Sequence, residues 1–140
     1  MKLAAIVLAC VLASCAAPVR FDSPSGRPEV LADLQPAEVR ARITNGALSD
    51  GLSLASESSQ QLVFERPMDG WARTMYSSDE HREPVWRVTF TLVEKESGTR
   101  VVCALHGVAN PHTANEHATD RTATKEGGSW ADAVRKWTIQ

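Results

Sequence analysis

The sequence is poor in most of the features that announce a function. It holds three cysteines, one tyrosine and three phenylalanines in 140 residues, and Lys+Arg (15) nearly balance Asp+Glu (17) for a formal charge of −2. Three cysteines cannot staple a small disulfide-rich fold. A near-neutral balance lacks the clustered basic face that nucleic acid requires, so no nucleic-acid partner is expected. There is no G-x-G-x-x-G, P-loop, C-x-x-C or H-E-x-x-H, which removes the common nucleotide, redox and zinc-peptidase signatures. No uncharged apolar run reaches the roughly 20 residues of a membrane-spanning helix. No internal repeat and no heptad seam is present. With 43% hydrophobic residues the chain can still bury one core, and its length fits one domain.

What is present begins at the N-terminus. Met1-Lys2 is a minimal positive start, and Leu3 to Ser14 (LAAIVLACVLAS) is an unbroken run of apolar and small residues of secretory h-region length. The run closes on Leu12-Ala13-Ser14-Cys15, which resembles the lipobox of bacterial lipoproteins: an aliphatic residue, two small ones and an obligatory cysteine. The resemblance implies a signal peptide over 1–14, a diacylglyceryl thioether on Cys15, and acylation of the amine that cleavage exposes. Two or more acyl chains hold a protein on a bilayer stably, whereas one holds it only reversibly. Ala16, where an inner-membrane sorting signal would have Asp, implies an outer-membrane lipoprotein facing the periplasm. The alternative is an ordinary signal peptide cut at an A-x-A-like site within Ala13 to Ala17, with Cys15 incidental. On the lipobox reading Cys10 leaves with the signal and Cys103 remains the one thiol, so no intramolecular disulfide is expected.

Cys15 to Pro28 (CAAPVRFDSPSGRP), with three prolines and a glycine, reads as a flexible tether. The string Ser25-Gly26-Arg27-Pro28-Glu29-Val30 resembles the junction of small uncharacterised envelope lipoproteins, which implies no activity. Residues 29–140 read as a single domain. Pro36-Ala37-Glu38 opens a helix with Val39, Ile43 and Ala47 on one face, Gly46 as a weak point and Gly51 as the stop. Leu52 to Arg66 reads as a bent strand or a strand pair. Pro67 to Ser78 reads as a short helix with Trp71, Ala72 and Met75 on a face, followed by a charged loop, Asp79 to Pro84. Val85 to Lys95 alternates Trp86, Val88, Phe90 and Leu92 with polar residues. Glu96 to Thr99 is a tight turn, and Arg100 to His106 returns with Val101, Cys103 and Leu105 on one face. Residues 108–128 are polar and expected as a long surface loop, and Ser129 is expected to cap a final helix carrying Trp130, Ala133, Val134 and Trp137. The expectation is an α+β fold: an antiparallel sheet of about four strands, with two or three helices packed on one face.

Candidate chemistry is sparse. His106, His112 and His117, with Glu116, are spaced like no known zinc site, and His81 stands alone in the charged loop. Cys103 alternates with Val101 and Leu105 and reads as a core residue rather than a nucleophile. Gly127-Gly128-Ser129 lacks the trailing glycine of a nucleophile elbow. Asp79, Glu80 and Glu83 could supply an acid–base pair, but nothing sets their separation. Four tryptophans against one tyrosine is an unusual choice, and at least two are expected in the core. Trp71, Trp130, Trp137, His112 and His117 are the candidate partner-binding residues. No catalytic residue, metal ligand or cofactor is predicted. The expected function is a membrane-anchored, non-catalytic binding or assembly module for an envelope protein or cell-wall component, with the sheet edge and the 108–128 segment as contact surfaces. Two alternatives are a small envelope hydrolase using the histidine or carboxylate cluster, and a prophage-type exclusion lipoprotein.

Overall fold

A computed structural model describes residues 17–78, 80 and 82–139; Cys15 with the rest of the lipobox, Asp79 and His81 lie outside the described residues. The elements run β1 (Glu29–Ala32), α1 (Pro36–Ser49), β2 (Ser53–Glu57), β3 (Gln61–Pro67), α2 (Gly70–Tyr76), β4 (Val85–Lys95), β5 (Gly98–Ala109), β6 (His117–Asp120) and α3 (Lys125–Ile139). The fold is α+β, with one antiparallel sheet and three helices.

The β4–β5 hairpin is the spine. Its eleven registered pairs run from Val85↔Val108 to Lys95↔Gly98 across a turn at Glu96-Ser97, with Gly98 at φ 128. On one face the register aligns Val88 with Leu105, Phe90 with Cys103, and Leu92 with Val101, all buried. β3 extends this apolar face with Leu62 and Phe64. Onto it pack Val39, Ile43 and Ala47 of α1 and Ala131, Val134 and Trp137 of α3. Each fully buried side chain of this size contributes about 1.5–3 kcal/mol. The opposite face carries half-buried Val63, Thr89, Thr91, Val93 and Val102, and no helix covers it among the described residues.

The sheet has six strands, not about four. The order is β1-β5-β4-β3-β2, and β6 pairs with β5 beside β1. β5 is long enough to hold two short partners on one edge: β1 along Thr99 to Val102, and β6 along His106 to Ala109. The long loop expected over 108–128 is thereby replaced by the end of β5, a turn, β6 and the first turn of α3. Helix α3 begins at Lys125 rather than at Ser129. Its cap is Thr124, whose Oγ1 accepts the Gly127 N–H at 3.1 Å and whose carbonyl accepts the Gly128 N–H at 3.0 Å.

Gly46, expected as a weak point in α1, is required by packing. A Cβ there would overlap the Trp137 indole, so the glycine is what lets α3 close on α1. The segment expected as a free tether is also partly docked. The Val19 N–H donates to Ala123 O at 3.0 Å, Phe21 is half-buried beside Gly128, and the Cys103 N–H donates to Pro28 O at 2.8 Å. Residues 19–28 therefore form a strap along α3 and into β1.

Candidate functional site

The second helix is short and is seated on the sheet through Tyr76. The Met68 N–H donates to Pro84 O at 2.9 Å, which closes the excursion that carries α2 away from the sheet. Within α2 no residue is fully buried. Tyr76 is half-buried and meets Trp86 edge-on, with ring centroids 5.9 Å apart. Its ring lies over Gly107, the β5 partner of Trp86, where a Cβ would collide with it. The glycine makes a seat for the tyrosine, so α2 stands on the same face as α1 and α3.

With Tyr76 pinned, Trp71 and Met75 share a face, as expected, but that face is turned to solvent. They are 76% and 63% exposed, the most exposed aromatic and methionine positions of the described chain. Beside them a groove of about 550 Å³ is floored by Trp86 and Ala109 and bounded by His117 and Thr119 of β6. Arg121 and Glu126 close its far side. Glu126 sits in the first turn of α3, where its own backbone N–H and the Thr124 hydroxyl hold its carboxyl below the usual range. The groove is aromatic on one wall and charged on the other.

Of the five predicted binding residues, the fold brings Trp71 and His117 together here. Trp130 and Trp137 instead flank Phe90, with ring centroids 6.2 and 6.1 Å away, and Arg66 stacks over Trp130 at 5.9 Å. Both therefore belong to the packing of α3. His112 lies on the other face of the sheet, where its Nε2 is 2.7 Å from Glu65 Oε2. Tyr76, Trp86, Arg121 and Glu126 were not singled out as binding residues. Tyr76, the one tyrosine, and Trp86, one of the four tryptophans, are the two that composition points to.

The other concentration of charge surrounds Arg87. Its Nε donates to Glu65 Oε1 at 2.6 Å, and its Nη1 and Nη2 donate to the two Glu116 oxygens at 2.6 and 3.0 Å. The His112 N–H also donates to Glu116, at 2.8 Å. The Arg87 guanidinium pulls Glu116 down to about 2, and Glu116 in turn raises Arg87 further above its ordinary value. This network folds the 110–116 turn, with His112 at φ 62, over one end of the open sheet face. Every acceptor in it faces a donor, so it is organised to hold a loop.

The three histidines of the predicted cluster are dispersed. His106 stands opposite Asp120 in the β5–β6 pair, His112 is on Glu65, and His117 is in the groove. Among the described residues no three His, Cys, Asp or Glu side chains gather to hold a metal ion. Glu83 is bonded to Arg73 at 2.8 Å and Glu80 to Asn115. Cys103 is buried, and its thiol is pushed up to about 12 by desolvation. Among the described residues no helix is long and apolar enough to cross a membrane. No protein-family model, curated protein or solved structure gives a match to the chain.

Proposed function

We propose that the chain is a lipid-anchored protein of the bacterial envelope, held through Cys15, whose domain is a non-catalytic binding or assembly module. Its contact surface is the groove beneath α2. The observation that carries the reading is Trp71, 76% exposed on a helix seated on the sheet through Tyr76, at the mouth of an aromatic groove. An exposed tryptophan beside a groove with an aromatic wall is the usual form of a binding anchor, because its large flat surface gains most from being covered. β6 supports the same surface. Among the described residues it pairs only with β5, which leaves its other backbone edge open beside the groove.

The hydrolase alternative draws on groups that the fold separates or engages elsewhere, and no observation favours it over binding. Hydroxyl-radical footprinting of the full chain tests the reading. Trp71 oxidation is expected to be suppressed in native membranes and restored after detergent extraction. Equal oxidation in both states would leave the groove without an occupant and contradict the proposal.

A further inference from the structure

We infer that the occupant of this groove is the bilayer interface itself: the membrane that carries the Cys15 anchor also receives Trp71 and Met75. The inference depends on lipidation at Cys15 and deepens the proposal above by naming the partner. It follows from where the chain leaves the domain. Val19 is hydrogen-bonded to Ala123 at 3.0 Å, and from there to Phe21 and Pro28 the strap is docked. Only four residue steps separate Cys15 from Val19, a reach of at most about 14 Å. The domain is held close against the headgroups at the β6–α3 corner.

The groove opens at that corner. Ala123 lies between Arg121 and Glu126, which line the groove, while Thr124, Lys125 and Gly128 line the opposite flank together with Val19. The exit of the anchor and the groove thus sit on two sides of the first turn of α3. A bilayer within reach of Cys15 is within reach of α2. Tryptophan and tyrosine settle at the headgroup level, where the ring is apolar and the N–H or O–H stays wet, and Met75 adds a flexible apolar chain beside them. Two side chains would bind a bilayer weakly from solution. A short tether removes that weakness by holding them at a high effective concentration. A protein partner needs no such closeness to the anchor.

The test uses the full acylated chain in phosphatidylethanolamine/phosphatidylglycerol vesicles containing lipids brominated near the headgroup. Bromolipid is expected to quench the tryptophan fluorescence of the wild-type chain, and Trp71→Phe is expected to lose that quenched component. Met75→Ser and a long Gly/Ser insertion after Ala16 are expected to reduce quenching while the protein stays vesicle-bound. An acylated, vesicle-bound protein whose fluorescence bromolipid leaves untouched would overturn the inference while the anchor stands. A chain found unacylated and free of vesicles would overturn the anchor and the inference together. A photoreactive side chain at position 71 that crosslinks in membranes to another envelope protein, and not to lipid, would also overturn it.

Discussion

Arg87 shows how a single cation can organise a loop. It joins Glu65 of β3 to Glu116 of the 110–116 turn, and both carboxylates would face desolvation without it. Glu65 is only 12% exposed in its side chain, so Arg87→Leu takes the guanidinium from a largely buried carboxylate and leaves it with His112 alone. A loss of about 1–3 kcal/mol is expected in chemical denaturation. The pH dependence has a defined sign. Glu116 is held at about 2 in the folded protein against an ordinary 4.5. Its contribution is therefore complete above pH 4.5 and is lost as pH falls toward 2. Thermal melts should show a fall in midpoint across that window, and Glu116→Gln should flatten it. An unchanged slope in the variant would assign the acid sensitivity to other groups.

Gly46 sets propensity against packing. Alanine is favoured over glycine in a helix interior by about 1 kcal/mol, so Gly46→Ala would stabilise an isolated α1. In the folded protein the new methyl meets Trp137, and forced overpacking costs about 1–3 kcal/mol. The clash wins, and a lowered melting temperature is expected. A raised one would mean that α3 can withdraw from α1 without loss.

At the scale of elements, the part of the chain most exposed to single changes is the short β6 and its exit. Thr122 is buried, and its Oγ1 accepts the Leu105 N–H at 3.0 Å. Beside it the Thr122 N–H donates to Asp120 Oδ1 at 2.8 Å. Thr122→Val keeps the shape and removes the acceptor, which strands a buried N–H of β5. The expected cost is about 1–3 kcal/mol. Amide exchange should accelerate at Leu105 and along β6 before it does so in the β3–β4 pairing.

The same scale explains what could be read in advance. The β4–β5 hairpin was legible because β4 alternates, β5 carries Val101, Cys103 and Leu105 at period two, and one face is deeply buried, so local pattern and tertiary environment agree. Helix α1 was legible from Pro36, the Val39–Ile43–Ala47 face and Gly51. β1 (EVLA) and β6 (HATD) were not, because four residues show no reliable period and owe their strand geometry to the spare edge of β5. The start of α3 was hidden by Gly127 and Gly128, which argue against a helix locally but lie within its first turn. The groove was half legible. Trp71 and His117 stood out by type, whereas Trp86, Tyr76, Arg121 and Glu126 meet them only because Gly107 seats Tyr76 and β6 turns back along β5. No periodicity carries that information.

For the molecule as a whole, the helices cover one sheet face, the 110–116 turn pins an end of the other, and the strap begins at Val19 beside Ala123, next to the groove-lining Arg121 and Glu126. On the proposed reading the domain works against a membrane, and that reading depends on Cys15 being the point of attachment. The intact mass of the chain extracted from membranes, measured beside Cys15→Ala, tests that claim most directly. The account predicts a wild-type chain that begins at Cys15 and carries added acyl mass, and a variant that leaves the membrane fraction. A wild-type chain without acyl mass, cut elsewhere and released as a free secreted protein, would contradict it.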